Sequence, residues 1–204
     1  MIAIIDYGVG NLFSLERSLS FIGKDVVVTG DYDTIQKCDR LILPGVGAFG
    51  DAARKLRNTG LDEVVKSQAA KGKPILGICL GMQLLFEKSY EYGEHDGIGL
   101  IKGNIKPIAE AVSKEYKIPH IGWNRLIFSG EEKSPLYRYV NDGDYVYFVH
   151  SYYAADCDEY ITANTEYGAM ITASVRNKNV YGTQFHPEKS GSVGLNILRA
   201  FCEI

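Results

Sequence analysis

ILGICLGMQLLF, residues 75–86, decides the fold. It opens as a short apolar run after Pro74 and continues in a helical pattern, and Gly77-Ile78-Cys79-Leu80-Gly81 forms the join. Such a run reads as a buried strand feeding directly into a helix. A cysteine between two glycines at that join matches the mechanics of a nucleophile elbow. The sharp turn holds the nucleophile in a strained conformation, and the missing Cβ atoms on either side avoid clashes. A thiol at the first turn of a helix meets the positive end of the helix dipole, and the amide of Leu80 is left to receive a developing oxyanion. Cys79 is therefore the candidate nucleophile.

Working outward, the first half alternates strand and helix. IAIID (2–6) predicts a buried strand, and Asn11 is placed to cap a helix carrying Leu12, Leu15, Leu19 and Ile22 before Gly23 ends it. DVVVTG (25–30), RLILPG (40–45) and KPILGIC (73–79) predict three more strands, with helices near 49–58 and 61–71. This alternation predicts a parallel sheet covered on both faces. Beyond residue 100 the texture changes to IGWNRLIF (121–128), DYVYFVHSYY (144–153), YITANTEY (160–167), MITASVRN (170–177) and VYGTQFHPE (180–188). These read as hairpins added to that sheet, with a closing helix spaced by Val193, Ile197 and Phe201. The expectation is one domain over residues 1–204: α/β, an open, twisted, mostly parallel sheet with helices on both faces and antiparallel strands in the second half.

Size and composition narrow the function. A chain of 204 residues can bury a core without disulfides. The four cysteines (Cys38, Cys79, Cys157 and Cys202) have no C-x-x-C spacing, which predicts reduced thiols in a cytoplasmic protein with no zinc site. No apolar stretch approaches the roughly 18 residues of a membrane span. A net charge of −3 without long runs of one sign predicts no nucleic-acid or membrane partner held by bulk electrostatics. The histidines lack ligand spacing, so neither metal nor cofactor is expected.

A nucleophilic thiol needs a base, and His95, His120, His150 and His186 are available. His186 has the strongest context. In TQFHPEKS an extended strand would project His186 and Glu188 from one face, close enough for the carboxylate to hold one ring nitrogen and present the other to sulfur. Cys79, His186 and Glu188 then form a triad. PGVG (44–47) offers a loop of little side-chain bulk, whose amides can supply a second oxyanion donor. DYGVGN (6–11) suggests a dinucleotide fingerprint, but Phe13 stands where the third glycine belongs, which leaves a nucleotide-binding module as the weaker alternative.

PGVG, GICLGMQLLFE and FHPEKS, in this order, resemble the class I, triad-type glutamine amidotransferases. DYGVGN, PHIGWN (119–124) and YFVHSYY (147–153) make the chain similar to one branch, the glutaminase subunits of imidazole glycerol phosphate synthase in histidine biosynthesis. Glutaminase subunits serving chorismate amination or pyridoxal phosphate synthesis are the alternatives among enzymes, and GMQ and PEKS disfavour both. The resemblance implies a flavodoxin-like fold and glutamine hydrolysis through a Cys79 thioester, with the oxyanion held by the amides of Leu80 and Val46. It also implies substrate contacts from Gly47, Gln83, Glu91, Ser151 and Tyr152. Finally, it implies a heterodimer with a (β/α)8-barrel cyclase subunit that receives the ammonia, docked near Asn11, Trp123, Asn124, Tyr147 and Lys189. The Pro44 to Gly47 loop is the expected switch, because glycine-flanked peptides flip at small steric cost.

Overall fold

The computed structural model describes residues 1–130 and 132–204. Its first half comprises β1 (Ile2–Ile5), α1 (Leu12–Phe21), β2 (Val26–Thr29), α2 (Tyr32–Lys37), β3 (Arg40–Leu43), α3 (Phe49–Asn58), α4 (Leu61–Ala70), β4 (Ile75–Ile78) and α5 (Leu80–Leu84). Continuous apolar runs become strands here because both faces of each strand are covered. Ile2 and Ile4 of β1 face one core cluster with Leu15, Leu19 and Phe201, while Ala3 and Ile5 face another with Phe49, Leu56 and Val65. Helices α1 and α6 (Gly191–Glu203) cover the first face, and α2, α3 and α4 the second. Helix α2 escapes hydrophobic periodicity because it spans only six residues, yet its start is marked by Asp31, whose carboxylate accepts from the Thr34 amide. Asn11 does occupy the N-cap position of α1 but makes no side-chain capping bond.

The second half contains β5 (Phe86–Ser89), β6 (His95–Asp96), β7 (Ile101–Pro107), β8 (His120–Arg125), β9 (Ile127–Phe128), β10 (Tyr145–His150), β11 (Tyr152–Ala155), β12 (Ile161–Glu166), β13 (Met170–Asn177) and β14 (Val180–Thr183). The main sheet has the order β2-β1-β3-β4-β14-β13-β12-β9. Strands β2 through β14 in that order pair in parallel, and β13, β12 and β9 continue antiparallel. The expected α/β, flavodoxin-like architecture is present.

The added strands do not all join that sheet. Strand β10 pairs with β8 alone, and β11 joins β7, β5 and β6 in a third sheet. The single segment expected over 144–153 therefore breaks at Ser151. A side chain makes the break possible: the His150 ring donates through Nδ1 to the Tyr152 carbonyl at 2.8 Å, and Ile108 donates its amide to the Ser151 carbonyl at 2.9 Å, so polar backbone is satisfied where the strand changes sheets.

Candidate active site

Cys79 stands at the carboxyl end of β4, the position where open α/β sheets gather ligands. Its backbone has φ 54° and ψ −113°, a strained conformation for a residue with a Cβ. The flanking glycines are required by close approach. A Cβ on Gly81 would lie 1.9 Å from the Leu43 carbonyl oxygen, and one on Gly77 would lie 2.7 Å from the Gly81 carbonyl oxygen. The elbow is thus wedged between β3 and its own helix. Helix α5 is only five residues long, so its dipole is smaller than the sequence pattern implied.

Cys79 is buried among apolar neighbours, yet its sulfur meets two polar side chains. The His186 ring bonds Glu188 Oε1 through Nδ1 at 2.8 Å and turns its other side to the Cys79 sulfur. Burial works against a charged His186 ring, but the hydrogen bonds to Cys79 and Glu188 outweigh it and raise its pKa to about 9. Strand geometry does not produce the pair as predicted. Strand β14 ends at Thr183, and Pro187–Lys189 form a 3-10 turn that brings the carboxylate back onto the ring. The ring is held from behind: the His186 amide donates to the Tyr147 carbonyl at 3.0 Å, and Ser190 Oγ donates to the His186 carbonyl at 2.6 Å.

A cavity of about 310 Å³ opens over this pair. That is the lower end of the roughly 300–1,000 Å³ range of small-molecule sites. Val46, Gly47, Leu80, Gln83, Glu91, Ser151, Tyr152 and Lys189 all line it, so the structure gathers every residue expected to touch substrate. Glu91 is anchored by the Phe49 amide at the start of α3, which fixes one carboxylate oxygen. Gln83 donates through Nε2 to the Tyr152 carbonyl at 3.2 Å and to Gln184 Oε1 at 3.0 Å. Gln184 Nε2 lies 3.8 Å from the Cys79 sulfur. Sequence reasoning missed Gln184, although its place two residues before His186 was a usable signal.

The PGVG loop is less free than its glycines suggest. The Tyr7 hydroxyl donates to the Pro44 carbonyl at 2.8 Å, and a Cβ on Gly45 would lie 2.7 Å from the Gly81 amide nitrogen. Gly45 is therefore there for contact with α5. Freedom is left at the far end, where Gly47 has φ +93° with open space around it and Val46 is 41% exposed.

The five expected docking residues are more scattered in role. Lys189 lines the main cavity, and Asn11 lines a small adjoining one with Val46, His186 and Glu188. Trp123 is 54% exposed and sits opposite Tyr147 in the β8–β10 register, ring edge to face at 6.1 Å. Asn124 donates through Nδ2 to the Glu166 carbonyl at 2.8 Å. Among the described residues no group of three or more His, Cys, Asp or Glu side chains is arranged to hold a metal ion, and no helix is long and apolar enough to cross a membrane.

Burial lowers the pKa of His150 to about 3 and of His120 to about 4. Each ring stays neutral when folded, while the unfolded chain protonates it below about pH 6.5. The unfolded state then binds more protons, so stability is complete above that pH and drains as pH falls toward 4, by about 1.4 kcal/mol per unit per ring. Urea midpoints at pH 7, 5.5 and 4.5 should decline in that order. Equal midpoints would contradict the neutral burial of these rings.

The model of the family described as glutamine amidotransferase class-I matches residues 3–203. The chain is 50% identical over 205 residues to "Imidazole glycerol phosphate synthase subunit HisH" of Caldanaerobacter subterraneus, covering 100% of this chain and 98% of the relative. It is 47% identical over 204 residues to the protein of that name from Listeria monocytogenes, covering 100% and 96%. Among solved structures, a glutamine amidotransferase superposes with TM-score 0.76 at 17% identity, covering 100% of this chain and 98% of that one. PurLQS from Thermotoga maritima superposes with TM-score 0.75 at 20% identity, covering 99% and 97%. The two superpositions establish the shared fold.

Proposed function

The chain belongs to the glutamine amidotransferase class-I family, and we infer that it is the glutaminase subunit of an imidazole glycerol phosphate synthase, acting in histidine biosynthesis. The observation that carries the chemistry is the convergence of the His186 ring on both the Cys79 sulfur and Glu188 at the floor of a small cavity.

Cys79 attacks the carboxamide carbon of glutamine, and its proton passes to His186, whose charged ring is balanced by the Glu188 carboxylate bonded to Nδ1. The oxyanion that forms is received by the amide of Leu80 and, once the loop turns it inward, that of Val46. His186 then protonates the departing nitrogen, ammonia leaves, and a thioester remains on Cys79. Water, deprotonated by His186, cleaves the thioester and releases glutamate. Glu188 orients the ring throughout. Gly47, Gln83, Ser151 and Tyr152 grip the substrate, and the Glu91 carboxylate meets its ammonium group.

Ammonia released into water becomes ammonium, which is a poor nucleophile, so a synthase subunit of this kind needs a partner that takes the ammonia directly. That partner is a cyclase subunit with a (β/α)8 barrel, docked as a heterodimer around Asn11, Trp123, Asn124, Tyr147 and Lys189. Exposed Ile121, Trp123 and Tyr145 on the β8–β10 sheet support this reading. One domain spanning 1–204 and a cytoplasmic setting belong to the same proposal, supported by the family match and by four cysteines without a disulfide.

The test is ammonia release from glutamine by the purified chain, with and without the cyclase subunit and its ligand. Release should rise at least tenfold in the complex and be absent with Cys79→Ala. A wild-type complex no more active than that variant would overturn the assignment.

A further inference from the structure

Two buried histidines outside the triad, His120 on β8 and His150 on β10, face each other with His120 Nδ1 and His150 Nε2 3.0 Å apart. The groups at each end fix their protonation. The Tyr152 carbonyl can only accept, so His150 carries its proton on Nδ1, which lies 2.8 Å from that oxygen. A neutral ring has one N–H, which makes His150 Nε2 an acceptor. His120 must then donate from Nδ1, and its Nε2 accepts in turn. Among the described residues the donor that reaches it is Asn124 Nδ2, at the long distance of 3.5 Å. The Asn124 amide is itself oriented, because Oδ1 accepts from the Arg125 amide and Nδ2 donates to the Glu166 carbonyl, each at 2.8 Å. Every donor from Asn124 to Tyr152 therefore points the same way.

The Tyr152 carbonyl has a second donor, Gln83 Nε2, at 3.2 Å. With its two lone pairs taken by His150 and Gln83, this oxygen is fixed in the wall of the catalytic cavity. Gln83 uses its other N–H on Gln184 Oε1, and that choice turns Gln184 Nε2 toward the Cys79 sulfur. The mechanism uses neither histidine, and a buried pair of rings satisfied in only one tautomer is a costly way to fill a core.

We propose that His120 and His150 are positioning residues, a tautomer-locked pair that sets the Tyr152 carbonyl and, through Gln83, the shape of the substrate cavity, tying it to the β8 strand that carries Trp123. This deepens the glutaminase reading and rests on it. The pair touches no reacting atom, so its effect lies in how well substrate is seated.

The test combines spectroscopy of the wild-type chain with two substitutions. Nitrogen-15 spectra at neutral pH should show both rings with the proton on Nδ1 and a free Nε2. His150→Leu removes the donor to Tyr152 and should raise KM for glutamine about tenfold with kcat within about threefold, the signature of lost ground-state seating. His150→Asn returns an amide donor near the Nδ1 position and should bring KM back to within about threefold of wild type. A proton on Nε2 of His150, or a folded His150→Leu with unchanged KM, overturns the proposal. Equal damage from Leu and Asn also overturns it, since packing alone would then explain the loss. If His150→Leu does not fold, the wild-type spectra and His150→Asn still decide. Wild type that releases no ammonia would instead refute the glutaminase assignment, and the ring spectra would stand apart from that result.

Discussion

Cys79→Ala is expected to lower kcat for glutamine hydrolysis by about 10⁵-fold or more, the scale seen when a triad nucleophile is removed. Glutamine binding should survive within a few fold, because the cavity walls from Val46 to Tyr152 do not depend on the sulfur. Ammonia release measured by a coupled assay, beside glutamine affinity by calorimetry, separates the two. Strain supplies an independent check. Alanine keeps the Cβ that makes φ 54° costly, whereas glycine does not. Cys79→Gly should therefore be more stable than Cys79→Ala by about 1 kcal/mol after the glycine's larger unfolded-state entropy is subtracted, and should melt at a higher temperature. Equal melting would contradict a strained elbow.

Glu188→Gln should cost less in rate, about 10² to 10⁴ in kcat with little change in KM. The substitution keeps the size of the side chain but removes the charge that balances the His186 imidazolium. Oε2 of Glu188 is buried and has no hydrogen-bond partner among the described residues, so the carboxylate's influence runs through Oε1 and the ring. Because Glu188 acts only through His186, the double variant His186→Ala with Glu188→Gln should be no slower than His186→Ala alone. Kinetics on the four proteins of that cycle would check it, and additive losses would mean that the carboxylate acts on substrate by itself.

Much of the site was legible because its signals are local. The glycines around Cys79 report a steric need within a few ångströms of that residue, and His186 with Glu188 lie two positions apart. The route to their contact is not legible in the sequence, since a 3-10 turn over Pro187–Lys189 leaves the same two residues adjacent as a strand face would. Glu91 is placed in the pocket only by the family resemblance, and its anchor on the Phe49 amide was not legible at all, because that partner belongs to a helix from another part of the chain. Strands β5, β6 and β7 were missed for a similar reason. Phe86–Ser89 and His95–Asp96 are short, and their sheet exists only through β7 and β11.

The sequence by itself determined what depends on near neighbours: the alternation of strand and helix to β4, the elbow at Cys79, and the residue types of the triad. Tertiary structure alone decided which segments became neighbours. It set Val180 beside Ile75, so that the strand leading to His186 runs along the one leading to Cys79, and it divided 144–153 between two sheets at Ser151. The physical reason is that backbone pairing is nearly indifferent to sequence, so a strand's partner follows from which side chains the two cores on either side of the sheet can bury together.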